Sequence, residues 1–418
     1  MISPLHQLRQ QALACLLGSA AVCFFLQLLT GLLLSLNYEP SLRPAQTLAG
    51  KSIVALEITK NFRDKTTQNR FNAGEIVFAE FDTATKAPFY APDTLRTLSR
   101  IITDTASQQP LQPTIAYFSV EQAIMRSSDF GGLVRGMHRA AASVGIVALT
   151  LWMLLYLLPF FPHETLIKPH IAGTLLFALV FGTSLLGYIL PMNLQSRAAL
   201  DIVLATVESF PLLGTVLTKL LKGASALSST TLVRVYILHI LVVPLLIGAC
   251  WFLLKHTLWE RTKSIQSLMM SVGVVWLCTM IACSTALPSQ DIMRLPADLT
   301  KVMSMGGMAQ PEWYALGFAA LLNVFPAWGV SVGAVLWFTL VFIIPLLERF
   351  PAFVGNSTKA LSAALLLMFC VLTVWELRAW RFPRFGFTDE SLEVALVVSI
   401  LSAAFIGAAW AYCRQSEK

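Results

Sequence analysis

Six histidines occur among the 418 residues, and two of them fall inside long apolar runs. His138 stands in Arg135-Gly-Met-His138-Arg-Ala-Ala-Ala-Ser143 and His239 in Arg234-Val-Tyr-Ile-Leu-His239, each near the start of its run. An imidazole set in hydrocarbon needs a partner, since a buried polar group with neither a hydrogen bond nor a metal bond costs roughly 2–7 kcal/mol. Two helices running the same way would hold both rings at one depth, which suits a haem iron gripped from both faces inside a helical bundle. The plainer reading gives each ring a neighbouring carbonyl or hydroxyl, and position alone leaves both open. An arginine accompanies each histidine, Arg135 three residues upstream of one and Arg234 five upstream of the other. Such an arginine either pairs with a haem propionate through charge-assisted bonds or snorkels to the membrane surface.

These rings need helices to carry them, and the composition supplies them. At 56% hydrophobic and 13% charged, the chain is far more apolar than a soluble domain, which averages about 45–50% apolar and 25% charged. Runs long enough to cross a hydrocarbon layer, about 20 residues each, occur at 12–36, 132–160, 170–190, 233–255, 267–287, 316–346, 359–377 and 392–413. The expected fold is therefore an all-α integral membrane protein of about eight transmembrane helices. The first run has no Ala-x-Ala-like exit before Asn37 and is too long for a signal-peptide core, so it reads as a retained helix.

The chain divides into a first transmembrane helix (1–40), an extramembrane insert (41–115), helices two to four (116–260) and a C-terminal four-helix part (261–418). The insert is polar, with Lys51, Lys60, Arg63, Asp64 and Lys65, and alternating pieces such as Glu75-Ile-Val-Phe-Ala-Glu-Phe81 predict some strand within it. The connections at 191–232 and 288–315 are long, semi-apolar and contain Pro191, Pro211, Pro288, Pro296 and Pro311, which predicts short helices lying at the membrane surface. Seven cysteines (Cys15, Cys23, Cys250, Cys278, Cys283, Cys370 and Cys413) form no CxxC or CxxCH and fall mostly in apolar runs, so they read as small core residues. The net charge of +7 is scattered through loops without a basic stripe, which points to membrane topology and anionic lipid and away from nucleic acid.

Several motifs line up in order over roughly 300 residues. They are Gln27-Leu-Leu-Thr-Gly31 with Tyr38 after it, Tyr117 to Arg126 leading to Gly131-Gly-Leu-Val-Arg135 and His138, and Gly173 and Gly187 fourteen residues apart. Gly187-Tyr-Ile-Leu-Pro191 and Pro311-Glu-Trp-Tyr314 complete the set. In these the chain resembles the cytochrome b subunit of quinol-oxidising cytochrome bc complexes. The resemblance implies that His138 and His239 ligate a haem b in a four-helix bundle, on the positive side of the membrane, beside Gly31 and Gly187, with Arg135 and Arg234 near its propionates. It further implies that Glu312 takes a proton from quinol in a pocket closed by Tyr314, Pro191, Pro311 and Trp313. The implied partners are a Rieske-type iron–sulfur protein and a c-type cytochrome, in a dimeric complex of an energy-transducing membrane such as the bacterial inner membrane.

The resemblance also breaks in one place. In that family each histidine helix carries a second histidine about fourteen residues on, which returns to within about 40° of the same face roughly 21 Å along the axis. Here those positions are Trp152, and Leu253 or Leu254. Both ligands of a second haem are missing, so one haem b per chain is expected, with Trp152, Tyr156, Trp251 and Phe252 filling the space. His163, His170 and His256 read as loop or interface residues. Two functions compete: a one-haem quinol-oxidising cytochrome b, and a structural or assembly paralogue within a larger respiratory complex.

Overall fold

The computed structural model describes residues 4–47, 49–63, 70–74, 76–82, 87–88, 95–103, 109–124, 129–158, 167–224, 226–259, 272–281, 312–347 and 352–381. Helices dominate. α1 (Pro4–Ser35), α2 (Asp129–Leu157) and α3 (Ile167–Ile189) are followed by two shorter helices, α4 (Leu194–Glu208) and α5 (Gly214–Lys222). α6 runs as Ser229–Ile237, a wider π-helical turn Leu238–Val242, and Val243–Trp259. After α7 (Val272–Ile281), a 3-10 turn Trp313–Ala315 opens α8 (Leu316–Val324), then α9 (Ala327–Leu347) and α10 (Ala352–Arg381).

Six of these helices are long and apolar enough to cross a membrane, and the chain is an all-α, multi-pass membrane protein. Their outward faces carry large apolar side chains such as Phe25, Leu32, Leu245 and Phe252, a surface that water would penalise and lipid accepts. α1 packs along α2, α3 against α6, and α10 against α8, α9 and α2. The single helix expected over 316–346 is two. Phe325 is extended (φ −113°, ψ 149°) because the ring of Pro326 bars its helical conformation, so α8 stops and α9 starts afresh. The expected span at 392–413 lies outside the described residues, and that at 267–287 is described only as α7. α4 and α5 are the short helices expected in the 191–232 connection.

Between α1 and α2 sits a four-stranded antiparallel sheet, ordered β5 (Ala87–Pro88), β4 (Ile76–Asp82), β1 (Ser52–Ile58), β6 (Ser99–Ile101). β2 (Phe62–Arg63) and β3 (Arg70–Phe71) make a separate pair. Ser52 faces Phe81 and Glu57 faces Ile76, which places the alternating segment read from the sequence on β4. The segment's two ends are laced together, with Ile115 N–H donating to Arg43 O (2.9 Å) and Ala45 N–H to Pro113 O (2.8 Å). Phe78 of the sheet meets Tyr117 and Phe118 edge-on at 5.9 and 6.1 Å, which seats the sheet on the turn entering α2.

Candidate functional site

α2 and α6 bring His138 and His239 together, with ring centroids 6.0 Å apart and planes at 75°. Their tautomers follow from their partners. The Thr30 hydroxyl donates to Leu26 O at 2.6 Å, so at 3.0 Å it accepts from His138 Nδ1–H. His239 Nδ1 donates to the Thr183 carbonyl at 2.9 Å, with the Thr183 hydroxyl at 3.1 Å. Both rings therefore keep Nε2 as a bare lone pair, the form a metal takes, with Nδ1 fixed by a second hydrogen bond. Two metal–imidazole bonds of about 2 Å plus the two ring radii span roughly 6 Å, so the separation fits one iron held between the rings.

Glycines make this approach feasible. A Cβ on Gly31 would lie 3.1 Å from His138 Cε1, and one on Gly187 would lie 2.6 Å from His239 Cε1. His239 itself occupies the π turn of α6, and Pro244 follows five residues on, without the N–H that a regular turn would use. A π turn is the local form of a helix that carries one residue more than its turn needs, and such turns gather at functional sites.

The pair lines one side of a cavity of about 180 Å³, against the roughly 10–15 Å³ that a single water requires. Pro191, Glu312 and Tyr314 line it as well. Glu312 precedes α8 and is paired with Arg139, the residue next to His138. The Tyr314 hydroxyl donates to Ser184 O at 3.0 Å, and its ring stands edge-on to Phe181. Burial, and next the Glu312 carboxylate, hold the Tyr314 phenol well above its usual range, so it stays a donor. Tyr38, which also lines the cavity, is likewise raised by burial and then by Tyr236, and donates to Leu190 O at 2.8 Å. Trp313 is not among the cavity-lining residues, but its indole N–H donates to the Oγ of Ser143, which is, at 3.2 Å. Pro311 lies outside the described residues.

The two arginines part company. Arg135 lines the cavity and is ion-paired with Glu121 at 3.2 Å. Arg234 is not among the cavity-lining residues: its guanidinium donates to Leu220 O and packs over Gly223, whose φ of +67° closes α5. It serves there as a cation at a helix C-terminus.

Deeper in the bundle the surroundings are closed. Trp152 is 6% exposed, stacked on Tyr156 with ring centroids 5.0 Å apart. A Cβ on Gly173 would come within 2.3 Å of the Trp152 ring, so this glycine makes room for an indole. Trp251 packs against the same core, whereas Phe252, expected among the filling residues, is 64% exposed and points outward. His170 is a correction: it lies in α3 and is fully buried, with Nδ1 2.9 Å from Tyr156 OH and Nε2 2.7 Å from Val341 O. Both its nitrogens are bridging neighbouring elements, which an interface residue would not do. His256 belongs to α6, with its side chain outside the described residues, as is His163.

The spacing of the motifs did not reveal Arg139, Thr30, Thr183 or Glu121, although each adjoins or approaches a singled-out residue. Arg139 follows His138 directly, and Thr30 precedes Gly31.

Residues 101–264 match the family model described as cytochrome b/b6/petB. The segment holding both histidines thus matches the cytochrome b family, and that family implies haem b. Glu312 and Tyr314 lie beyond the matched segment. Among solved structures, the chain is similar to one described as "Hyperthermophilic respiratory Complex III", with a TM-score of 0.55 and 17% identity, covering 96% of this chain and 90% of that chain. At that identity the likeness is one of fold.

Proposed function

We propose that this cytochrome b-domain chain is the quinol-oxidising membrane subunit of a cytochrome bc-type complex, holding one haem b between His138 and His239. The observation that carries the reading is convergence. A pair of imidazoles with free Nε2 atoms, a carboxylate and a buried phenol face one cavity, although they come from α2, α6 and the turn before α8.

The haem, when bound, supplies a one-electron acceptor at the cavity wall. The chain's own residues bind and deprotonate the substrate. Pro191 and Tyr314 form an apolar wall that excludes water from one ring face, and the Tyr314 hydroxyl stays committed to Ser184 O. Glu312 remains as the base that takes the hydroxyl proton, since quinol cannot give up its electrons readily while keeping both protons. The other electron goes to a Rieske-type iron–sulfur protein, and from there to a c-type cytochrome. A dimeric complex in the bacterial inner membrane is the proposed setting.

Glu312→Gln keeps the size and removes the base. Quinol-driven haem reduction should then slow by about 10²-fold or more while the dithionite-reduced spectrum stays unchanged. A normal rate would favour the second reading, a structural paralogue of cytochrome b. That reading draws on two observations: Glu312 is already neutralised by Arg139, and Trp152 packs where a second haem would sit.

A further inference from the structure

Arg139 follows His138 on α2, so it points about 100° around the helix from the ring. From there its guanidinium reaches Glu312, 173 residues further along the chain, and both side chains line the cavity. The two ends of the pair differ in surroundings: the Arg139 side chain is 50% exposed and the Glu312 side chain 11%. Glu312 sits in extended backbone ahead of the 3-10 turn and receives no cap bond to hold it. A glutamate side chain has about 1.5–2 kcal/mol of rotamer freedom to lose, so without a partner the carboxylate would sample several directions. The cavity's other lining arginine, Arg135, is engaged by Glu121 and does not supply that partner.

We infer that Arg139 is a positioning residue for quinol oxidation, orienting the Glu312 carboxylate toward the substrate hydroxyl and releasing it once it is protonated. This rests on the quinol-oxidising reading given above. One substrate O–H bond breaks as an O–H bond forms on Glu312 and the second hydroxyl proton passes to the Rieske-type partner, while the two electrons leave singly, one to a haem b and one to that partner's cluster. The neutral carboxyl is held more weakly by the guanidinium, because protonation removes the ion-pair attraction between them. It can then turn away from the substrate and pass its proton on to water.

The test uses the haem-loaded membrane protein with Arg139→Gln, Arg139→Lys, Glu312→Gln and the Arg139→Gln/Glu312→Gln double variant. The readouts are quinol-driven haem reduction, KM, haem content and redox-difference infrared spectra of the carboxyl region. Arg139→Gln should lower kcat about tenfold or more with KM little changed, since misplacing a reacting group costs rate steeply. Arg139→Lys should recover most of that loss. The infrared bands that vanish in Glu312→Gln should shift in Arg139→Gln, and Arg139→Gln should add no loss on top of Glu312→Gln. Full kcat and unshifted bands in Arg139→Gln, multiplicative losses in the double variant, or haem lost in step with rate would each overturn the inference. A slow Glu312→Gln beside a normal Arg139→Gln removes this inference alone. A normal Glu312→Gln removes the quinol reading with it.

Discussion

Fourteen residues apart on α2, His138 and Trp152 meet opposite surroundings. Around His138 the packing is incomplete by design of the backbone: Gly31 and Gly187 withhold side chains, Thr30 and Thr183 fix Nδ1, and a cavity opens beside the rings. Around Trp152 the same helices close on each other, with Tyr156 stacked on the indole and His170 bridging α2 and α9. The π turn in α6 takes part in the contrast. By lagging the helix about one residue, it brings Leu254, fifteen beyond His239, into the core at 1% exposure and leaves Leu253 outside at 53%. One bundle thus carries a site at one level and a sealed core at the other. Interiors tolerate few voids larger than a water, so side chains must occupy any level that no cofactor fills.

The largest expected effect comes from breaking the open level. His138→Ala or His239→Ala should take haem b from one per chain to none by pyridine haemochrome assay, since each removes one of the two imidazoles that would hold it. Two haems in the unmutated chain, or one surviving in both variants, would erase the distinction between the levels.

Trp152→Ala attacks the closed level and should leave haem content at one. The cost falls on stability, about 3–5 kcal/mol for emptying a buried indole site. Detergent thermal unfolding followed by haem release would register it, and a loss of haem without a loss of stability would contradict the contrast.

Much of this was legible in the sequence. Two histidines in apolar runs and the Pro311-Glu-Trp-Tyr314 string pick out four of the residues that line the cavity, His138, His239, Glu312 and Tyr314, because residue type and order within a run are local facts. The break at Pro326 was local too, and a continuous apolar run concealed it. What stayed hidden is long-range: Arg139 finds Glu312 across 173 residues and Thr30 finds His138 across 108, and no periodicity encodes such meetings. The contact of Arg234 with the end of α5 was hidden for the same reason, since it depends on where α5 ends. His170 read as an interface residue because nothing near it in sequence shows Tyr156 and Val341 closing over it.

The smallest effect is the sharpest test, because one substitution can be made at both levels of α3. Gly187→Ala puts a methyl 2.6 Å from His239 Cε1, and Gly173→Ala puts one 2.3 Å from the Trp152 ring. Alanine gains up to about 1 kcal/mol of helix propensity over glycine, and overpacking costs about 1–3 kcal/mol. Trp152 is pinned by Tyr156, so Gly173→Ala should lose about 1–2 kcal/mol net, with haem content untouched. In a Trp152→Ala background that loss should turn into a gain, because the new methyl then fills part of the hole. Gly187→Ala should instead displace the imidazole and show itself in haem content and in the α band, whatever residue stands at 152. If both alanines changed stability alone, the cavity level would be packing like the closed one, and the imidazole pair would be a structural contact between α2 and α6.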